Sequence, residues 1–441
     1  MIVMKFGGTS VGDAERIESV CSIVRNNLEN KPVVVCSAMT KVTDALIELA
    51  ADASKGEFPE KKNSEMDARH VKALQNLKLD AHMLDDLFDE KKGLLEKIMK
   101  KGSNAEILDS MQSLGERMSC GIVAACLSKN VKARAFDAYD VGMITDSNFG
   151  SAEPLENSAE LIKKSFRYVK EVPIVTGFIG KDANGKITTL GRGGSDYTAA
   201  IIGAALDAEE IQIWTDVDGV MTSDPRIVKD AITVPELSFD EASELAIFGA
   251  KVLHPKTILP AMEKNIPVRV LNTWHPMLKG TTIVAKAVKG DRIVKGIACR
   301  KNITLLNIKS TRMLNAYGYL AKVFEIFRKN RISVDMIATT EVGVSMTVDS
   351  KEHIEGIITE LGKIAEVKSE SGKAIVCVVG EGMRSSIGVA GRLFSRIAKE
   401  GINIEMISQG ASEINVGLVV DGTMADKAVR ALHDEFINGE K

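Results

Sequence analysis

Ile2-Val3-Met4-Lys5-Phe6-Gly7-Gly8-Thr9-Ser10 stands at the head of the chain, and its reading decides the fold of the first half. Ile2 to Phe6 has the composition of a buried strand, and Asp13 then starts a helix whose apolar positions Ile17, Val20, Cys21, Val24 and Leu28 follow the helical period. Val33 to Cys36 is the next buried strand. Strand, helix and strand in such a short stretch form a βαβ unit, which implies a parallel sheet with helices on its faces. Gly7 and Gly8 sit where the first strand ends and the helix is about to begin. Two glycines there let backbone N–H groups converge on an anion, the helix N-terminus adds its dipole, and Lys5 supplies a full positive charge. The lysine precedes the glycines, so this is not a Walker A loop.

Outward from this unit, residues 54–129 change to long charged helical stretches, with Ser103-Asn104-Ala105-Glu106 spaced as a capping box. Strand-like runs return at Val172 to Val175, Ile187 to Leu190, Ile211 to Thr215 and Val268 to Leu271, with helical segments Tyr197 to Leu206 and Asp240 to Phe248 between them. The α/β layer therefore extends to about residue 285, and Lys286 to Arg292 reads as a linker. Beyond it lies an internal repeat: Gly318 to Ile337 matches Gly388 to Ile407 at an offset of 70, with identities that include Phe324/Phe394, Ile332/Ile402 and Met336/Met406. After a two-residue slip, Glu341 to Asp349 matches Glu413 to Asp421. Each copy reads helix, strand, turn, strand, a small α+β module that needs a partner to cover its sheet.

Three further motifs carry chemistry. Thr189-Leu190-Gly191-Arg192-Gly193-Gly194-Ser195-Asp196 is a second strand, glycine turn and helix start, in which Arg192 suits a carboxylate and Asp196 suits the helix cap. Two anion cradles in one α/β domain fit a reaction that joins two anionic substrates. Trp214 to Arg226 contains Asp216-Val217-Asp218-Gly219, but the glycine comes too early for a calcium loop and Ile227 stands where its bidentate glutamate belongs, so a nucleotide-binding edge fits better. In Phe248-Gly249-Ala250-Lys251-Val252-Leu253-His254-Pro255, Lys251 suits phosphate or plain solvent, and His254 reads as structural. Gly380-Glu381-Gly382-Met383-Arg384-Ser385 imitates a dinucleotide fingerprint, yet the repeat argues against it, because the other copy near residue 320 has no such loop.

Composition bounds the partners. The 441 residues predict two or three domains, and 57 Lys plus Arg against 60 Asp plus Glu leave a formal charge of -3, with no global field for nucleic acid or anionic lipid. Two tryptophans and five tyrosines are few for a stacking-based single-strand binder. The six cysteines include no C-x-x-C pair and sit mostly in apolar runs, so they read as reduced thiols of a cytoplasmic protein. No apolar run approaches a membrane span, no secretory signal is evident, and the histidines have no metal spacing.

Taken as a set, Lys5 to Ser10, Gly115-Glu116-Arg117-Met118-Ser119, Gly177-Phe178-Ile179-Gly180, Leu190 to Thr198, Trp214 to Arg226 and Phe248 to Pro255 resemble the aspartokinase family over essentially the whole chain. The resemblance implies an α/β amino acid kinase (carbamate kinase-like) sandwich domain over 1–285, followed by two α+β ACT-like (ferredoxin-like) regulatory domains. It places the first at 310–379 and makes the second discontinuous, 293–308 plus 380–441. The implied activity is transfer of the γ-phosphoryl of ATP to the side-chain carboxylate of L-aspartate, giving 4-phospho-L-aspartate, the first step toward lysine, threonine and methionine. In that reading Lys5, Gly7, Gly8 and Asp196 are catalytic: Lys5 neutralises the phosphoryl group in flight, Gly7 and Gly8 present backbone N–H groups to it, and Asp196 orients Lys5. Thr43, Glu116, Phe178, Arg192 and Ser195 bind aspartate, with Glu116 on the α-ammonium and Arg192 on the α-carboxylate. Lys5, Gly8, Thr215, Asp216, Met221, Arg226 and Lys251 meet the nucleotide, and magnesium arrives on the ATP phosphates without a separate protein metal site. Met221 stands where the family often has an aromatic residue.

The resemblance also implies feedback by an amino acid at Met313, Ser333, Val334, Asp335, Thr339, Thr340 and Glu341, with lysine ahead of threonine, and at least a homodimer through the ACT-like modules. Acetylglutamate kinases lack such tandem modules, and the length leaves no room for a fused homoserine dehydrogenase, so a monofunctional enzyme is expected. The reading from another class is a catalytically silent amino-acid sensor, against which Lys5, Arg192 and Asp196 together speak.

Overall fold

The computed structural model describes residues 1–249, 253–287, 292–310, 313, 317–349, 354–410 and 414–439. The chain divides into two compact units: Met1–Val220 with Val252–Ala287, and Met221–Lys251 with Val288–Lys441. The span expected as one domain, 1–285, thus yields Met221–Lys251 to the second unit, because Val228 and its neighbours Ile227 and Ala231 pack in the apolar core of the second repeat. The expected linker falls mainly on 288–291, outside the described residues.

The first unit begins with β1 (Ile2–Phe6), α1 (Ala14–Arg25), β2 (Val33–Cys36), α2 (Val42–Ala53), α3 (Glu60–Asn76), α4 (Asp85–Lys101) and α5 (Ala105–Ser128). It continues through β3 (Ala133–Phe136), α6 (Ser158–Phe166), β4 (Val172–Thr176), β5 (Ile179–Lys181), β6 (Ile187–Thr189), α7 (Gly194–Ala205) and β7 (Glu210–Thr215). After β8 (Glu236–Ser238) and α8 (Phe239–Ile247), which belong to the second unit, come α9 (Pro255–Glu263), β9 (Val268–Asn272) and β10 (Thr281–Val284). Within the unit the strands run in the order β3-β4-β2-β1-β7-β9-β10. All pairs from β3 to β9 are parallel, and β10 returns antiparallel. β1 and β2 are buried at every position, as expected of central parallel strands covered on both faces. Phe6 stacks on Trp214 of the neighbouring β7, with ring centroids 5.9 Å apart. Asp13 caps α1 by accepting from Arg16 N. The chain leaves β1 toward β2 on one side and reaches β7 on the other, which opens a crevice beyond the C-terminal ends of these strands.

One local expectation changes. The cap of α5 is Asn104, whose side chain accepts from Ile107 N at 2.8 Å, one residue later than the Ser103 box predicted. A full capping box occurs instead at Ser238 and Glu241, at the start of α8.

The second unit continues with β11 (Gly296–Lys309), α10 (Tyr319–Lys329), β12 (Met336–Thr339), β13 (Gly343–Asp349), α11 (Glu355–Leu361), β14 (Glu366–Val379), α12 (Val389–Lys399), β15 (Met406–Ser408), β16 (Asn415–Asp421) and α13 (Ala425–His433). One six-stranded sheet carries both repeats in the order β12-β13-β11-β14-β16-β15. The pairing does not divide at residues 308 and 379. Ile303 to Lys309 of β11 pair with β13 of the first copy, while Lys373 to Val379 of β14 pair with β16 of the second. β11 and β14 are long enough to serve both copies, with register shifts at Lys301/Ile303 and Ile303/Leu305 marking the passage. Each copy keeps its own core, around Val323, Phe327 and Met346 in the first and around Leu393, Ile397 and Leu418 in the second. The fingerprint-like Gly380 and Gly382 pack on Ile293, where a Cβ would come within 2.4 Å and 2.7 Å of its backbone. Among the described residues no helix is long and apolar enough to cross a membrane.

Candidate active site

The crevice of the first unit holds a cleft of about 520 Å³ lined by three glycine-bearing turns and by α5. Lys5, the penultimate residue of β1, turns its ammonium to Asp196 in the first turn of α7, 2.6 Å away, with both side chains largely buried. Asp196 therefore does not cap its helix as its position suggested: the N-cap is Gly193, in the left-handed region at φ 73°, and no side chain caps it. A Cβ on Gly193 would also approach Thr257 Cγ2 to 2.7 Å. Gly8 is forced by a different approach, since a Cβ there would lie 2.8 Å from Ala38 O.

Gly7 departs from its expected role. Its N–H donates to Trp214 O at 3.1 Å, so it closes the turn and has no donor left for an anion. The N–H of Gly8 has no hydrogen-bond partner among the described residues, and Gly8 lines the cleft beside Lys5.

Glu116 and Arg192 line the same cleft. Glu116 projects from α5, and its Oε1 accepts from Ala38 N at 3.2 Å while Oε2 is buried without a hydrogen bond among the described residues. Burial pushes its carboxyl up to about 8, the Ala38 N–H opposing only in part. Arg192 is exposed at the cleft mouth and has no ion pair among the described residues. Thr43, Phe178 and Ser195 line the same cleft. Phe178 holds φ 70°, unusual for a bulky side chain, fixed by its N–H to Thr198 Oγ1 at 3.0 Å and by Leu190 N–H to its carbonyl at 2.8 Å.

Three positioning residues escaped the sequence reading. Arg69 of α3 donates to Thr40 O at 2.6 Å and to Gly12 O at 3.0 Å, tying the turn after β2 to the turn after β1. Thr40 itself donates to Gly8 O at 2.8 Å. Asp109 of α5 accepts from Gly150 N at 2.9 Å, Thr189 N at 2.7 Å and Thr189 Oγ1 at 2.9 Å, anchoring the approach to the Arg192 turn. No local pattern announces these contacts, because each joins segments distant in sequence.

The remaining nucleotide candidates are scattered between the units. Thr215 ends β7, the strand beside β1, and Asp216 follows it. Met221 and Arg226 belong to the second unit, where Thr233 Oγ1 donates to Met221 Sδ at 3.5 Å and Arg226 pairs with Asp224 at 2.6 Å. Lys251 lies outside the described residues. In the first repeat Thr339 and Thr340 line a pocket of about 410 Å³ with Asn307, Lys309, Glu366 and Lys368. Met313 and Val334 pack against that copy's core instead, Ser333 and Glu341 are exposed, and Asp335 holds Arg300 at 2.7 Å.

A parallel sheet that sets a lysine-bearing glycine turn against an arginine-bearing one, followed by duplicated α+β modules, defines a kinase for a small carboxylic acid with a regulatory tail. Residues 1–272 match the amino acid kinase family, and 306–357 with 376–436 match the ACT domain. Aspartokinase 1, chloroplastic, of Arabidopsis thaliana is 41% identical over 454 residues, covering 98% of this chain and 80% of that protein. Lysine-sensitive aspartokinase 3 of Escherichia coli strain K12 is 37% identical over 455 residues, covering 99% of each. The crystal structure of E. coli aspartokinase III in complex with aspartate and ADP superposes with a TM-score of 0.85 at 35% identity, covering 99% of each chain. The chain belongs to the aspartokinases, ATP-dependent kinases of aspartate under feedback control.

Proposed function

We propose that the cleft between the Lys5 and Arg192 turns is where aspartate is phosphorylated, and that its two ends divide the work. Arg192 takes the α-carboxylate bidentately and Glu116 the α-ammonium, with Thr43, Phe178 and Ser195 closing around the substrate. The side-chain carboxylate, already ionised near neutral pH, attacks the γ-phosphorus, so no general base is required. Lys5 and the Gly8 N–H stabilise charge on the phosphoryl group in flight, and Asp196 keeps the lysine aimed. Thr215, Asp216, Met221, Arg226 and Lys251 are assigned to the nucleotide. The observation that carries this reading is the buried Lys5–Asp196 pair at 2.6 Å in the same cleft as a Glu116 oxygen and an Arg192 guanidinium that have no partner among the described residues.

Magnesium fits as an ion brought by ATP: the carboxylate beside Lys5, Asp196, is already paired with that lysine, which suits an ion held mainly by phosphate oxygens. When bound it neutralises those oxygens. For the effector, lysine stands ahead of threonine, supported by the acidic Asp335 and Glu341 and by the lysine sensitivity for which the E. coli relative is named. A second ammonium would exchange with Arg300 at Asp335. A homodimer through the ACT modules is supported by exposed apolar residues of this unit, Phe324 and Ile407 among them. A cytoplasmic location is supported by six cysteines that form no disulfide. Trapping aspartyl phosphate with hydroxylamine in the presence of ATP and magnesium, with and without lysine or threonine, tests the whole reading. Hydroxamate that lysine suppresses is the expected result, and no hydroxamate under any condition would sink it.

A further inference from the structure

His433, the last residue of α13, is completely buried, yet only one of its ring nitrogens is satisfied. Nε2 lies 2.9 Å from Thr222 Oγ1, whereas Nδ1 has no hydrogen-bond partner among the described residues. A buried polar nitrogen left in that state is uncommon and unfavourable, which calls for an explanation. A ring nitrogen of His433 and one oxygen from each of Asp230 and Asp434 all fall within 4.8 Å of one another. We propose that Asp230, His433 and Asp434 form a binding site for one divalent transition-metal ion of the zinc class.

The surroundings have the form such a site needs. With the proton on Nε2 and donated to Thr222 Oγ1, the lone pair falls on Nδ1, the pattern in which one imidazole nitrogen holds a metal and the other is fixed by a hydrogen bond. Thr222 Oγ1 is itself held, since it accepts from Ile232 N at 3.1 Å. Asn438 Nδ2 donates to Asp230 Oδ2 at 2.8 Å and Asp434 Oδ1 at 3.2 Å, keeping two like charges side by side. Asp434 begins a π-helical stretch, Asp434–Asn438, a widened turn of the kind that recurs at functional sites. Ligands about 2.1 Å from an ion lie roughly 3.4 Å apart in a tetrahedral site. The two aspartates are exposed, so their side chains have room to close that difference and water can complete the coordination. One imidazole with two carboxylates favours zinc, cobalt, nickel or manganese over calcium, which takes oxygen ligands alone. The cationic groups nearby are Arg396, whose Nη2 is 3.9 Å from Asp434 Oδ2, and Arg292, which acts on His433 at longer range. A bound ion would fasten the segment carrying Asp230 to the end of α13.

The test uses the full chain, stripped with chelator, in the absence of ATP and magnesium, titrated with Co²⁺ and then Zn²⁺. One Co²⁺ per chain with a ligand-field spectrum, displaced by Zn²⁺, and a thermal midpoint that rises with either ion are expected. Asp230→Asn should weaken binding by at least about tenfold and the Asp230→Asn/Asp434→Asn double variant should abolish it. Both changes are at exposed positions, so each variant's metal-free midpoint reports whether it folds, without touching buried His433. Absence of binding to the wild-type chain at micromolar free metal would overturn the proposal, as would unchanged affinity and stoichiometry in the double variant.

Discussion

Two charged groups of the candidate cleft are held in opposite ways. At the Lys5 end the cation is already neutralised, 2.6 Å from Asp196, and the pair is largely withdrawn from water. At the Arg192 end the guanidinium is exposed and unpaired among the described residues, while Glu116 is desolvated with one oxygen unbonded. A compensated charge is a positioned tool, ready before any ligand arrives. An uncompensated one is a vacancy for the complementary group of a substrate, and keeping Glu116 there destabilises the empty fold.

Breaking the compensated end should have the largest effect. Lys5→Ala is expected to lower kcat about a thousandfold with a much smaller change in the KM for aspartate, measured by steady-state kinetics. If KM carried the loss instead, the division between the ends would be wrong. Arg192→Ala should chiefly weaken aspartate binding, about a hundredfold in KM, the worth of a charge-assisted bidentate contact.

The pH dependence sharpens the contrast further. Glu116 must be ionised to receive an ammonium, and in the empty site its carboxyl titrates at about 8 against an ordinary 4.5. The KM for aspartate should therefore rise about tenfold per pH unit as pH falls below 8. Glu116→Gln should flatten that profile at a uniformly poor KM. The stability sign is opposite to that of a salt-bridged acid. Because the folded value is raised, the native state binds the proton more tightly, so the contribution of Glu116 to stability is fully present below pH 4.5 and is lost as pH rises toward 8. Glu116→Gln should thus melt higher than wild type, with the gain growing over that window in thermal scans.

The smallest effect is assigned to positioning. Asp109→Asn replaces one of two oxygens that receive three donors, so it should cost about 1–3 kcal/mol in urea unfolding and reduce kcat/KM severalfold. A kcat/KM unchanged beside that stability loss would show that the Arg192 turn holds itself.

What the sequence made legible follows from how local each signal is. β1, β2, the turns at Gly8 and Gly193 and the duplicated modules all leave a pattern within a few residues, in apolar runs, in paired glycines or in a constant offset. Gly7 misled because a glycine is the same letter whether its N–H faces a ligand or, as here, Trp214 O. The position of Asp196 by itself suggests only a helix cap, and it is the family resemblance that sets it against Lys5, the partner it has in the structure. Arg69, Thr40 and Asp109 were invisible because their work is done on the backbone of distant segments, which imposes no spacing rule. The exact boundary between the nested modules is not legible, because a 14-residue strand gives no sign of where one partner ends and the next begins.

That strand sharing bears on how the chain is made. Gly296 to Lys301 at the start of β11 pair with Ala374 to Val379, while everything needed for the first copy lies between them. During synthesis the inner module can complete itself while the outer one waits with its first strand unmatched until β14 and then β16 emerge. No single cut in the polypeptide, natural or engineered, can release one module intact and leave the other whole. The pair is therefore inherited, expressed and lost as one piece.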